Sequence, residues 1–206
     1  MKPRLASLVA LAALATSAAV TAAPLGKVTT TNVPEAGLSL ALPSAWRRVD
    51  AKTAGKIAKE SLAKENPQLA GILAELDRPG TGLVFFAFDP AGAKQFATNV
   101  NIIVSKIPNG VTLAQLVAAS KSELSGIPGR VGDVTSVPTT LPGGSAARSV
   151  VDVALANKGK KVIARVTQFA FIRPGRSVVV SFTTRRSGYA HYVATFNAAA
   201  RSIRFS

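Results

Sequence analysis

The last third of the chain, LPGGSAARSVVDVALANKGKKVIARVTQFAFIRPGRSVVVSFTTRRSGYAHYVATFNAAARSIRFS (Leu141–Ser206), decides the fold. Val151, Val153 and Leu155 recur at period two, the spacing that puts alternate side chains on one face of a strand. Asn157-Lys158-Gly159-Lys160 supplies a hairpin turn, and the next strand runs from Lys161 to Ile172. It stops at Arg173-Pro174-Gly175-Arg176, where proline presets one turn position and glycine accepts the next. Val178, Val180 and Phe182 alternate beyond it, so the three strands form an antiparallel meander. Tyr189, Tyr192, Val193, Phe196 and Ala200 follow on one helical face, and Ile203 and Phe205 alternate in a closing strand.

The same grammar extends upstream. Leu38, Leu40 and Leu42 alternate in a strand that ends at Pro43-Ser44. Asp50 stands as N-cap to a helix carrying Ala54, Ile57, Ala58 and Leu62. Asn66-Pro67 opens a second helix with the stripe Leu69, Ile72, Leu73 and Leu76, stopped by Arg78-Pro79-Gly80. Leu83 to Phe88 reads as a strand buried on both faces, and Asn99 to Lys106 as a strand with Val100, Ile102 and Val104 on one side. Phe96 is expected to tuck inward from the loop between them. Thr112 to Gln115 fits a capping box ahead of Leu113, Leu116, Val117 and Leu124, and Gly126 and Pro128-Gly129 end that helix. A less regular strand is expected over 130–140. Burying all these faces most simply takes an α+β domain, an antiparallel sheet with helices packed on its faces. Residues 37–206 form that single domain, and 23–36, polar, Thr-rich and interrupted by Pro24 and Pro34, read as an extended lead-in.

The first 22 residues read as a cleaved signal peptide. Lys2 and Arg4 make a positive start, Leu5 to about Val20 an apolar run, and Val20-Thr21-Ala22 a small-residue cleavage site. The alternative is an uncleaved anchor, but the run is alanine-rich and short against the roughly 20 apolar residues a bilayer needs. No later segment is apolar enough to span, so an exported protein of the secreted or periplasmic, cell-envelope kind is expected, of bacterial type. The chain has no cysteine, which excludes a lipid anchor at the cleavage site, disulfides, thiol catalysis and thiolate metal sites. It carries 25 Lys+Arg against 10 Asp+Glu, a net +15 that falls by two once Lys2 and Arg4 leave with the leader. Such a charge favours contact with anionic lipids, wall polymers or acidic proteins, without specifying which.

The pattern LSLALPSAW (38–46), VNIIVSKI (100–107), a capped helix, LPGGSAARSV (141–150), RVTQFAFIRPGRSVVVSFTT (165–184) and FNAAARSIRF (196–205) resembles the PsbP/Mog-like fold family. That family includes PsbP-like proteins of the photosynthetic lumen, the Ran-binding Mog protein and LpqN-type exported actinobacterial proteins. The resemblance covers 37–206 and rests on structural marks: Pro43 and Trp46, the Pro-Gly-Gly corner and the Ser-Ile-Arg-Phe ending. It implies an α/β/α sandwich and a protein-binding or assembly role rather than catalysis. An LpqN-type lipoprotein would need a cysteine at the cleavage site, which this chain lacks, and no motif here transfers photosystem or Ran binding.

The residues themselves point the same way. His191 is the one histidine, without the Cys or carboxylate neighbours of a metal site, and is read as structural or surface-lying. Ser145 and Ser149 occupy no Gly-x-Ser-x-Gly elbow that would pair with it in a hydrolase. Glu60 with Glu65, and Glu75 with Asp77, read as solvated helix faces beside Lys56, Lys59, Lys64 and Arg78. Gly126, Gly129 and Gly132 follow a helix and precede a strand, the reverse of a phosphate loop. Trp46 is expected to line the core. No cofactor or metal is expected. The candidate contact surface is basic: Lys158, Lys160, Lys161, Arg173, Arg176, Arg185 and Arg186, with Arg47-Arg48 as a further cluster. Its expected partner is an unknown protein or an anionic envelope component. Nucleic acid is not expected, because export removes it and no aromatics interleave the basic runs.

Overall fold

The computed structural model describes residues 26–57, 60, 63–69, 80–91, 96–157 and 159–206. Residues 1–25 with the expected signal peptide, Ala58 and Leu62 of the first expected helix, the stripe beyond Leu69 with its Arg78-Pro79 stop, and Lys158 lie outside them. The described strands are β1 (Val28–Val33), β2 (Leu38–Pro43), β3 (Arg47–Val49), β4 (Thr81–Phe88), β5 (Asn99–Lys106), β6 (Arg130–Leu141), β7 (Gly144–Asn157), β8 (Lys160–Arg173), β9 (Arg176–Arg185) and β10 (Arg204–Phe205). The principal helices are α1 (Ala51–Ile57), α2 (Leu113–Ser125) and α3 (Tyr189–Ser202).

Seven strands pair in the order β3-β4-β5-β9-β8-β7-β6, every pair antiparallel. The C-terminal meander β7-β8-β9 lies inside this sheet, as its sequence implied. In the register of β7 with β8, Asn157 faces Lys160 and Asp152 faces Arg165. At the second turn Gly175 takes a φ of 68°, left-handed backbone that glycine adopts without steric cost. A smaller sheet, β1-β2-β10, lies apart. Residues 28–33, within the expected lead-in, form β1 and pair along the whole of β2.

The two faces of the large sheet are covered differently. On one side β2 supplies Leu38, Leu40 and Leu42, and α3 supplies Tyr192 and Phe196. These close over Ile102, Phe169, Phe171, Val180 and Phe182. Phe182 stacks on Phe196 with centroids 5.1 Å apart, and Trp46 packs at the margin. Each such side chain contributes about 1.5–3 kcal/mol by leaving water. On the other side α2 is capped as expected: the Thr112 hydroxyl accepts from the Gln115 amide at 3.2 Å, and the Gln115 side chain accepts from the Thr112 amide at 2.8 Å. Its Leu116 and Leu124 are buried against Ala147, Ala170 and Val179, and against Val151 and Val166. Phe96 is buried on that side with Leu69. The result is a layered α+β domain with helices on both faces of an antiparallel sheet.

The α2 side also buries polar groups. Register aligns Asn101, Ser181, Gln168, Ser149 and Ser136 across five strands. The first four are no more than 2% exposed. Gln168 Nε2 donates to Ser181 Oγ at 3.1 Å, and the Ser136 and Ser149 hydroxyls lie 2.9 Å apart, which satisfies part of the row internally.

Candidate functional site

The six described residues of the seven expected for contact do not form one surface. Strand β8 carries Lys160 and Lys161 at its start and Arg173 at its end, roughly 40 Å apart at a strand's rise per residue. Arg173 and Arg176 face one another across the second turn, while Arg185 pairs with Ala164 near the hairpin end. Two groups result: Lys160, Lys161, Arg185 and Arg186 at the hairpin end, and Arg173 with Arg176 at the other. Lys158 is outside the described residues. Arg47 and Arg48 lie on the edge strand β3, separated from β9 by β4 and β5.

The second-turn pair is built into the fold. Arg173 donates from Nη2 to the Gly143 carbonyl at 2.6 Å and from Nη1 to its neighbour Ile172 at 2.9 Å. Its guanidinium carbon sits 3.5 Å from the Phe205 ring centroid, and that ring meets Phe171 edge-on at 5.1 Å. Burial lowers the Arg173 pKa, and the neighbouring Arg176 charge adds to the effect. Gly143 permits the approach: a Cβ there would lie 2.9 Å from the Ile203 carbonyl oxygen. Arg176 donates to the Glu35 carbonyl at 3.3 Å, tying the turn to the segment before β2.

The hairpin end is organised around a carboxylate. Asp152 receives Arg165 through both oxygens, each bond 2.8 Å. It also receives Arg186 Nε at 3.3 Å. Arg165 lies 5.0 Å over the Tyr189 ring at the start of α3. Its hydrogen bond to Asp152 raises the Arg165 pKa against the opposing cost of burial. The Arg165 side chain is 27% exposed and Asp152 only 10%, whereas Arg186 is 53% exposed. Lys160 and Lys161 are exposed as well. Asp152 and Arg165 were absent from the expected surface, yet the sequence held the signal. Asp152 is the one acid between Leu141 and Ser206, against eleven Lys and Arg. The register of β7 with β8 places it opposite Arg165.

The groups weighed for chemistry lie elsewhere and are tied to structure. His191 meets Tyr192 edge-on at 4.8 Å, on the α3 side of the sheet, whereas Ser149 bonds to Ser136 on the α2 side. Tyr192 donates to Asp89 Oδ2 at 2.6 Å, and burial followed by that bond pushes its phenol well above the usual range. Glu60 pairs with Lys56 at 3.8 Å, both exposed. Among the described residues no group of three or more His, Cys, Asp or Glu is placed to hold a metal ion, and no helix is long and apolar enough to cross a membrane.

The arrangement of layers is the PsbP/Mog-like fold. Over 87% of this chain and 91% of the other, it matches LpqN of Mycobacterium tuberculosis, described as involved in cell envelope biogenesis, at a TM-score of 0.51 and 16% identity. The cyanobacterial PsbP of Synechocystis aligns over 92% of this chain and 98% of its own, at 0.49 and 12%. The Ran-binding protein Mog1p of Saccharomyces cerevisiae aligns over 87% and 96%, at 0.46 and 12%. No family model matches the chain, and no curated protein matches it in sequence.

Proposed function

We propose that this protein is an exported, non-enzymatic binding or assembly domain acting on a protein partner in the cell envelope. The carrying observation is how its polar groups are used. Ser149 is engaged inside the fold and His191 packs against Tyr192, while Lys160, Lys161 and Arg186 at the hairpin end stand exposed. The fold shared with LpqN, a protein of cell envelope biogenesis, supports an envelope role, and the leader-like first 22 residues support export. Purified protein lacking residues 1–22, incubated with native envelope extract, is expected to retain one protein partner after a high-salt wash. Retention of nothing defeats the reading.

A second reading has its own observation, the excess of eleven cations over one acid in the C-terminal block. It makes the protein a peripheral component held to anionic wall polymers or lipids. Attachment of that kind must weaken as salt screens it, so complete release from the envelope at high salt favours the second reading over the first.

A further inference from the structure

We propose that the hairpin end of the meander is a docking surface for an acidic stretch of the protein partner, with Arg186 as its exchangeable cation. This rests on the protein-binding reading above. The site already displays its preferred chemistry, because Asp152 shows a carboxylate bound there. Arg165 holds both Asp152 oxygens at 2.8 Å and is braced by Tyr189, so it forms a fixed floor. Arg186 reaches the same carboxylate through one longer contact, 3.3 Å, with half its side chain in water. A guanidinium so placed keeps donor capacity for a second carboxylate and gives up little to turn toward it.

The neighbours extend this from one contact to a surface. Alternation along β8 puts Lys161 on the same face as Arg165, four residues or about 13 Å away. Lys160 and Arg185 flank them from the opposite face. Cations spaced in this way match carboxylates distributed along a peptide better than a single small anion. Asp133 on the edge strand β6 and Glu65, beside the Asn66 that bonds to Ala156 of β7, border the surface. They limit how far an acidic partner extends beyond β7. Arg173 at the second turn offers no equivalent, since the Gly143 carbonyl and the Phe205 ring already occupy it.

The test measures binding of the purified protein to a synthetic Glu-rich peptide at low salt, against inorganic polyphosphate and phosphatidylglycerol vesicles. The peptide is expected to bind, with Arg186→Gln weakening it roughly fivefold, as for an exposed charge pair at the upper end of its range. Lys161→Gln should weaken it by a smaller factor, and Arg201→Gln, which removes the same charge near the far end of α3, should leave it unchanged. Equal weakening by Arg186→Gln and Arg201→Gln reduces the effect to diffuse charge and overturns the proposal. So does preferential binding of polyphosphate or vesicles, or no binding of the peptide. An envelope partner retained equally by wild-type and Arg186→Gln protein overturns this surface while leaving the binding-domain reading intact.

Discussion

The two ends of the β7-β8-β9 meander carry the same kind of residue and put it to opposite uses. At the second turn, Arg173 and Arg176 find backbone carbonyls and an aromatic ring waiting, and their charges become fasteners between the sheet, the Gly143 corner and the C-terminal strand. At the hairpin end no described segment closes over Lys160, Lys161 or Arg186 in this way, and Asp152 gathers Arg165 and Arg186. What distinguishes a structural arginine from a contact arginine here is therefore the backbone carbonyls within its reach, not the local run of charge. Arginine suits such carbonyls because it brings several donors in one rigid fork.

The contrast is broken most severely at Arg173. Arg173→Ala removes two hydrogen bonds and a stacked cation, and is expected to destabilise the fold by about 3 kcal/mol in urea unfolding. Arg173→Lys, which keeps the charge and loses the fork, should recover only a minor part of that loss. If lysine restores stability fully, Arg173 acts as a charge and the two ends are alike. Gly143→Ala tests the same clamp from the other side. Its Cβ would meet the Ile203 carbonyl oxygen at 2.9 Å, so the corner must shift, at an expected cost of about 2 kcal/mol. An unchanged unfolding midpoint would show that the corner has room the present packing denies.

These differences also mark how far the sequence could be read. The meander, the capping box at Thr112 and the inward turn of Phe96 were legible because each depends on local spacing. The pairing of Asp152 with Arg165 was legible in principle, since a two-residue turn fixes every pair of the hairpin. The fate of Arg173 was not. It depends on Gly143 and Phe205, respectively 30 residues before it and on a separate sheet, and no periodicity encodes that meeting. The polar face of β5 gave no warning either: Asn99 and Asn101 alternate with Val100 and Ile102 as in a strand half in water, yet both are fully buried. Alternation reports that two faces differ in polarity, and only the packing of distant elements decides whether the polar one is wet. The seven candidate cations were likewise visible as residues, but the division of the six described ones between the two ends of the meander needed the registers on both sides of β8.

At the hairpin end the expected effects are smaller. Asp152→Asn leaves Arg165 and Arg186 close together with a neutral acceptor between them. Because Asp152 is mostly buried and Arg165 partly so, a loss of about 1–2 kcal/mol is expected, between the values for exposed and buried pairs. Thermal unfolding at low and high salt separates the causes. If repulsion between the two arginines contributes, added salt should recover part of the loss. A loss indifferent to salt would assign the whole cost to missing hydrogen bonds.

The smallest effect on stability is expected from Lys160→Gln combined with Lys161→Gln and Arg186→Gln. None of the three shares a buried hydrogen bond, and Arg186 adds only its exposed contact to Asp152, so the unfolding free energy should stay within about 0.5 kcal/mol of wild type. The triple variant nevertheless removes three charges from one end of the sheet. If that end makes the partner contact, the variant should leave the envelope fraction at markedly lower salt than wild type while unfolding at the same urea concentration. An unchanged elution profile would place the contact elsewhere, and a large loss of stability would show that these cations, like Arg173, are part of the structure. The decisive outcome is stability and attachment moving independently at the hairpin end, because at the second turn the Arg173 contacts make a change in one without the other unattainable.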